Sequence, residues 1–257
     1  MCLPLKRKLQ NTTNKIWSCS AIALILILWQ GITMLGLVEA FLLPSPVQVL
    51  KAFIQEWPKL LEHSAITLAE SFIGLTCGIL LGFGIAVIMD RFEYVYRAFY
   101  PLIVVTQTIP TVAIAPLLVL WFGYEMTPKV ILIVITTFFP IAVGLLNGFR
   151  SVDQDAIHLL QAMGASKMQI FRYLKLPSAM SQFFSGLRIS ASYAMVGAVI
   201  SEWLGGFGGL GVYMTRVKKA FAFDKMFAVI FLIAIISLIL MKGVDFLQKK
   251  CMPWEKE

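Results

Sequence analysis

Charge is the scarcest resource in this 257-residue chain: only 14% of residues are Asp, Glu, Lys or Arg, against 59% hydrophobic. A soluble core of that length cannot hide so much apolar material, and the mean hydropathy of +0.82 makes lipid the main solvent. Six spans of about 20 residues would use roughly half of the chain. That leaves no room for a large extramembrane domain, which excludes a soluble enzyme and a nucleic-acid-binding module. Cysteine is sparse as well. Cys2, Cys19, Cys77 and Cys251 form no CxxC pair and no His/Cys ligand spacing, so they read as free thiols rather than a disulfide framework or a zinc site. There is no GxxxxGK[ST] phosphate loop, no HExxH, no G-x-S-x-G and no carboxylate-rich helix pair, so the chain has no recognisable site for nucleotide, metal or cofactor. If such a protein drives uphill transport, its energy source lies on another subunit.

What is present is a series of uncharged runs. Residues 16–38, 71–89, 98–124 and 130–149 each suffice to cross about 30 Å of hydrocarbon. Residues 176–201, interrupted by Arg188, and 226–241, lengthened if Lys242 snorkels, complete a count of six. The fold class is therefore all-α and polytopic. With the spans laid out this way Lys6, Arg7, Lys8, Lys15, Arg91, Arg97, Arg150, Lys167, Arg172, Lys175, Lys242, Lys249, Lys250 and Lys256 share one side. Lys51, Lys59, Lys129, Arg216, Lys218, Lys219 and Lys225, half as many, share the other. The positive-inside bias predicts both termini in the cytoplasm. It divides the chain into a cytoplasmic segment 1–15, a transmembrane domain 16–249 with a cytoplasmic insert 150–180, and a cytoplasmic tail 250–257. The first run is too long for a typical signal-peptide core, so Val38-Glu39-Ala40 is expected to remain uncleaved.

Individual segments carry more. Between Pro44-Ser45-Pro46 and Pro58, Val47, Leu50, Phe53, Ile54 and Trp57 recur at helical spacing, which predicts a short interfacial helix ended by that proline. Gly74, Gly78 and Gly82 make a small-residue ridge suited to packing within the chain. The run 98–124 holds Pro101, Pro110 and Pro116. Each deletes a backbone donor, and lipid cannot satisfy the carbonyl it frees. That segment should face protein or a watery pathway, with Gln107, Thr108 and Pro110 at the pathway; kinked packing with hydroxyls bonded to the helix's own carbonyls is the alternative for the threonines. The ionisable groups at membrane depth are Glu70, Arg188 and Glu202. The two glutamates are pathway candidates or reach headgroup water, and Arg188 is expected to pair structurally. The glycine-dense stretch 205–211 predicts tight turns at the outer surface.

In the insert, Ser151–Gln154 and Ser166–Gln169 both match the S-x-x-Q capping box, Gly164 marks a stop between them, and Pro177 closes the second helix. The outcome is helix, glycine elbow, helix. Ile157, Leu160, Met163, Ile170, Phe171 and Leu174 place apolar groups on a water-facing segment, which calls for a partner.

Met163-Gly164-Ala165-Ser166, Ile170-Phe171 and Lys175-Leu176-Pro177 resemble the cytoplasmic coupling motif of permease subunits of bacterial ATP-binding-cassette importers. That motif has an acid and two alanines where this chain has His158, Leu159 and Leu160; the glycine and the Leu-Pro are kept. The resemblance runs from Pro44-Ser45-Pro46 to the sixth span and is closest to the branch importing nitrate, sulfonates, taurine and pyrimidine precursors of thiamine. Gln107-Thr108-Ile109-Pro110, Ala115-Pro116-Leu117, Trp121-Phe122-Gly123-Tyr124 and the run from Ser185-Gly186-Leu187-Arg188 through Gly197 to Gly205 look most like permeases for formylaminopyrimidine or hydroxymethylpyrimidine. The resemblance implies a type I importer permease fold in the bacterial inner membrane. It implies cytoplasmic ATPase subunits docked on Met163, Gly164, Ala165, Ser166, Leu176 and Pro177, an external solute-binding protein, and a second permease, most simply an identical copy. No cofactor is implied. An ion-driven carrier would need an internal repeat and midplane carboxylates, and a membrane-embedded enzyme would need a nucleophile–base or metal constellation; neither pattern is found.

Overall fold

The computed structural model describes residues 3–39 and 41–253, without side chains for 3–16, Ser18 and Cys19. Cys2, the side chains of the N-terminal basic cluster, Ala40 and the last four residues of the expected tail lie outside that description. Among the described residues every regular element is helical. In chain order they are α1 (Leu3–Met34), α2 (Pro46–Gln55), α3 (Trp57–Arg91), α4 (Glu93–Thr106), α5 (Thr111–Phe122) and α6 (Met126–Arg150). There follow α7 (Gln154–Ala162), α8 (Lys167–Ile170), a π-helical turn (Phe171–Lys175), α9 (Leu176–Leu204), α10 (Leu210–Lys219) and α11 (Phe223–Cys251).

Four helical stretches are long and apolar enough to cross a membrane: Trp57–Arg91, Met126–Arg150, Lys167–Leu204 and Phe223–Cys251. Ser20–Met34 is a shorter apolar stretch within α1. The run 98–124 is not a single kinked helix, because α4 and α5 meet at 96°. The break has a local cause. The amides of Gln107 and Thr108 bond to the Val104 and Val105 carbonyls three residues back, which tightens the last turn of α4. Pro110, without an N–H, then caps α5 from an extended conformation.

Two boundaries, at Pro58 and Pro177, differ from the sequence reading for equally local reasons. Pro58 falls in the first turn of α3, where a proline costs nothing, so it opens the long helix instead of ending the short one. Ser45 caps α2 through a capping box with Gln48. Pro177 lies in the first turn of α9, and the π-helical turn ahead of it joins α8 to α9 without a stop; the Leu176 amide reaches back five residues to the Phe171 carbonyl. Here the missing proline donor is absorbed by a wider turn.

The chain forms two compact units. The first contains the residues up to Leu60 with Arg216–Ile230, and the second Leu61–Thr215 with the residues from Phe231 onward. Within the first, Trp29 donates from Nε1 to the Pro44 carbonyl (3.1 Å), and its ring lies 5.8 Å from that of Phe227. The Lys225 ammonium is 2.5 Å from Glu56.

The second unit is organised on α6 and α9, its most extensive helix pair. Lipid offers no hydrophobic drive for such an interface, so close approach through small residues supplies it. A Cβ on Gly186 would fall 2.3 Å from the Pro140 carbonyl oxygen, so at this crossing the two backbones touch. The Gly74, Gly78 and Gly82 ridge of α3 lies on Ile133, Thr137 and the Phe138 carbonyl of α6, the intrachain packing its spacing predicted. Ile141, Leu145, Phe149, Phe184 and Leu187 fill the core between the helices. Phe72 and Leu80 of α3, Leu120 of α5 and Ile239 of α11 are exposed, as lipid-facing groups should be.

Candidate functional site

Three places in the second unit hold the polar and exposed groups singled out by the sequence. The first is the α4–α5 break. Thr106, Gln107, Ile109, Pro110 and Thr111 line one wall of a cavity of about 260 Å³, faced by Ile135 and Thr136 of α6 and by Tyr193, Val196, Gly197 and Ile200 of α9. Among the described residues no charged side chain lines it. Gln107 adds an amide; the Thr106 and Thr136 hydroxyls donate to the Ile103 and Ile133 carbonyls of their own helices, at 2.6 and 2.8 Å, and have only acceptor lone pairs left. Thr108 is not among the lining residues; its hydroxyl donates to the Val105 carbonyl at 2.8 Å, as the kinked-packing alternative anticipated. Tyr193, Thr136 and Thr111 complete the wall; Tyr193 falls inside the run 185–205 that carries the resemblance, whereas no motif in the sequence marked Thr136.

The second place is a buried polar knot at the far end of α9. Glu202 accepts from the Thr67 hydroxyl (2.8 Å) and from the Gly211 amide (2.5 Å). Thr67 accepts from the Leu210 amide at 2.8 Å, and His63 Nδ1 accepts from the Gly209 amide at 3.1 Å. The Tyr213 ring stacks 5.2 Å from the imidazole. Gly209 adopts φ +116°, and a Cβ there would strike Glu202 Oε1, so only glycine serves. Glu70 pairs with Lys129 at 2.5 Å. Glu70 and Glu202 are brought into one enclosed cluster, 4% and 2% exposed, and neither lines the cavity or reaches headgroup water. The sequence reading set Lys129 in an outer loop. In the structure it belongs to the first turn of α6 and is 5% exposed, because the Glu70 carboxylate compensates its charge. The glycine-dense stretch thus turns its backbone amides onto α3 and α9 side chains. Arg188 pairs with Asp245 at 2.6 Å and Gln248 at 3.0 Å, the structural role expected for it.

The third place is the elbow. Ser166 and Gln169 form the expected capping box of α8, whereas α7 is capped by Asp153, whose carboxylate accepts from the Asp155 amide. Ser151 instead donates to the Gly148 carbonyl, within the last turn of α6. Gly164 stands between the helices at φ +78° with open space where a Cβ would sit. Ile170 is buried, and the Phe171 ring lies 5.4 Å from that of Phe149, so those two apolar groups face inward. Leu159, Met163, Met168 and Tyr173 do not: each is more than 60% exposed. Four large apolar side chains on one short protrusion form a surface suited to a protein partner. Among the described residues no group of three or more His, Cys, Asp or Glu side chains is placed to hold a metal ion.

Apolar crossing helices, a broken span lining a mixed polar and apolar cavity and an exposed apolar elbow suit a membrane transport permease. The chain belongs to the family of binding-protein-dependent transport system inner membrane components, whose model matches residues 74–253. It is 38% identical over 236 residues to the formylaminopyrimidine transport permease protein ThiX of Halalkalibacterium halodurans, covering 91% of this chain and 94% of that one. It is 31% identical over 247 residues to the taurine transport system permease protein TauC of Escherichia coli, covering 93% and 90%. Among solved structures, an inward-facing MetNI methionine ABC transporter chain superposes with a TM-score of 0.67 at 19% identity, covering 76% of this chain and 97% of that one. The fold is that of type I importer permeases.

Proposed function

We propose that this permease carries a pyrimidine precursor of thiamine into the cell, formylaminopyrimidine in the first place, as the membrane subunit of an ATP-driven importer. The observation that carries the solute is the 38% identity to a formylaminopyrimidine permease over nearly the full length of both chains. The uncharged cavity at the α4–α5 break agrees with it. An amide, hydroxyls and the Tyr193 ring suit a flat neutral heterocycle. A sulfonate or nitrate would be better met by a lysine or arginine.

In this reading Gln107, Thr108 and Pro110 shape the pathway, and Glu70 and Glu202 hold its outer end. Met163, Gly164, Ala165 and Ser166, with Leu176 and Pro177 at the return of the segment, couple to a cytoplasmic ATPase. A second copy of the chain encloses the pathway, and an external binding protein selects the solute. Both termini, residues 1–15 and 250–257 included, face the cytoplasm of a bacterial inner membrane, flanking the transmembrane domain 16–249. A second reading, a taurine, aliphatic sulfonate or nitrate permease, is favoured by the 31% identity to TauC.

The test is uptake into proteoliposomes holding the chain with its co-purified ATPase and binding protein. ATP-dependent entry of labelled formylaminopyrimidine, reduced by hydroxymethylpyrimidine and untouched by taurine, is expected. Entry of taurine in its place would favour the second reading. Entry without ATP, abolished by an ionophore, would overturn the importer.

A further inference from the structure

The elbow leaves the helical bundle after Arg150 and returns at Lys175. Both flanking cations are engaged, and their anions lie on either side of a single chain junction. Lys175 Nζ is 2.8 and 3.0 Å from the two carboxylate oxygens of Asp90, the penultimate residue of α3. Arg150 Nη2 is 2.9 Å from Glu93 Oε2, at the first residue of α4, and its guanidinium carbon is 3.4 Å from the centre of the Tyr96 ring. Only Arg91 and Phe92 separate the two anions.

Isolated surface ion pairs between helix ends are common and carry little energy. Two features set the Lys175–Asp90 contact apart; Arg150–Glu93 is more open, with side chains 39% and 56% exposed, and Arg97 Nε lies 3.1 Å from the same carboxylate. Asp90 sits near the carboxyl end of α3, where the helix dipole disfavours an anion, so its presence needs the partner it has. The Lys175–Asp90 contact is two-pronged and its side chains are only 23% and 12% exposed. The elbow's two legs also meet through the Phe149 and Phe171 rings, which join them into one packed piece. That piece holds the α3–α4 junction at two points, and α4 runs from the junction to the break at Gln107 that lines the cavity.

We propose that Lys175–Asp90 and Arg150–Glu93 form a two-point clamp that carries displacement of the elbow into the α3–α4 junction, and through α4 to the broken span. The four residues are positioning residues: none is placed at the solute cavity or on the exposed apolar face of the elbow. The proposal rests on the elbow being the ATPase-docking segment, as argued above.

The experiment uses the full complex in proteoliposomes and measures three quantities: ATPase retained on purification, ATP hydrolysed, and solute delivered per ATP. The single variants Asp90→Lys and Lys175→Asp are expected to retain the ATPase and lower solute per ATP by at least about threefold. The exchanged pair Asp90→Lys with Lys175→Asp should return the ratio to within about twofold of the parent. Arg150→Glu is expected to lower the ratio by less, because Arg97 also holds Glu93. An unchanged ratio in the single variants, or an exchanged pair no better than either single, overturns the clamp. Should a reversal fail to assemble, Asp90→Asn takes its place, with a smaller fall in the same ratio expected and an unchanged ratio overturning the proposal. Failure of the parent chain to retain an ATPase is a different result, which overturns the docking reading itself and the clamp with it.

Discussion

The Lys129 ammonium lies 2.5 Å from the Glu70 carboxylate, with 6% and 5% of the two side chains exposed. Each charge is tolerable there only because of the other. Removing one partner of such a pair leaves an uncompensated buried charge, at a cost of about 3–5 kcal/mol, whereas replacing both by apolar groups of similar volume is often neutral. Glu70→Leu and Lys129→Met alone should each sharply lower the melting temperature of the purified chain in detergent. The double variant should recover most of the loss. Equal loss in the double variant would mean that the pair contributes only packing.

At Gly164 the backbone, not the side-chain space, sets the requirement: φ is +78° and nothing lies within 4 Å of the point a Cβ would occupy. A β-branched residue there costs roughly 1–3 kcal/mol of local strain, and asparagine tolerates the left-handed region better. Gly164→Val and Gly164→Asp should insert and purify normally while losing ATP-dependent uptake, and Gly164→Asn should retain a measurable part of it. Full uptake by well-expressed Gly164→Asp would remove this turn from coupling.

Gln107 and Thr108 are neighbours with different surroundings, since Gln107 lines the cavity and the Thr108 hydroxyl is spent on the Val105 carbonyl. Gln107→Leu should therefore reduce solute delivery several-fold at an unchanged ATPase rate. Thr108→Val should change delivery by less than about twofold, because a threonine hydroxyl bonded to its own helix contributes only modestly. Comparable losses at both positions in the same uptake assay would show that the break matters for its shape and not for its polar lining.

The membrane class, the apolar runs and the elbow were legible from the sequence because they rest on local rules. Lipid forbids charge in a span, Ser166 with Gln169 spells a cap, and Gly164 spells a stop. The glycine ridge of α3 was legible for the same reason. Long-range partners were not. Nothing in the spacing of Lys129 announces Glu70, 59 residues earlier, and a loop lysine at a span edge looks like any other loop lysine. Asp153 displaced Ser151 as the cap of α7 because Ser151 was still within reach of the last turn of α6. Pro177 misled in the other direction, since a stop signal preceded by a π-helical turn is absorbed. Thr136 lines the cavity without any motif around it, and nothing in the run around Tyr193 singles that residue out, because a cavity wall is assembled from helices far apart in sequence.

The continuity of helix through Lys167–Leu204 has a mechanical corollary. At 1.5 Å per residue these 38 residues span about 57 Å, close to twice the hydrocarbon thickness. Close approaches to α6 run along it, from Ala179 against Gly148, through Gln182 against Gly144 and Gly186 against Pro140, to Gly197 beside Thr136. Contact held over so many turns leaves no single pivot, and makes the two helices one stiff rib joining the elbow end to the Glu202 end.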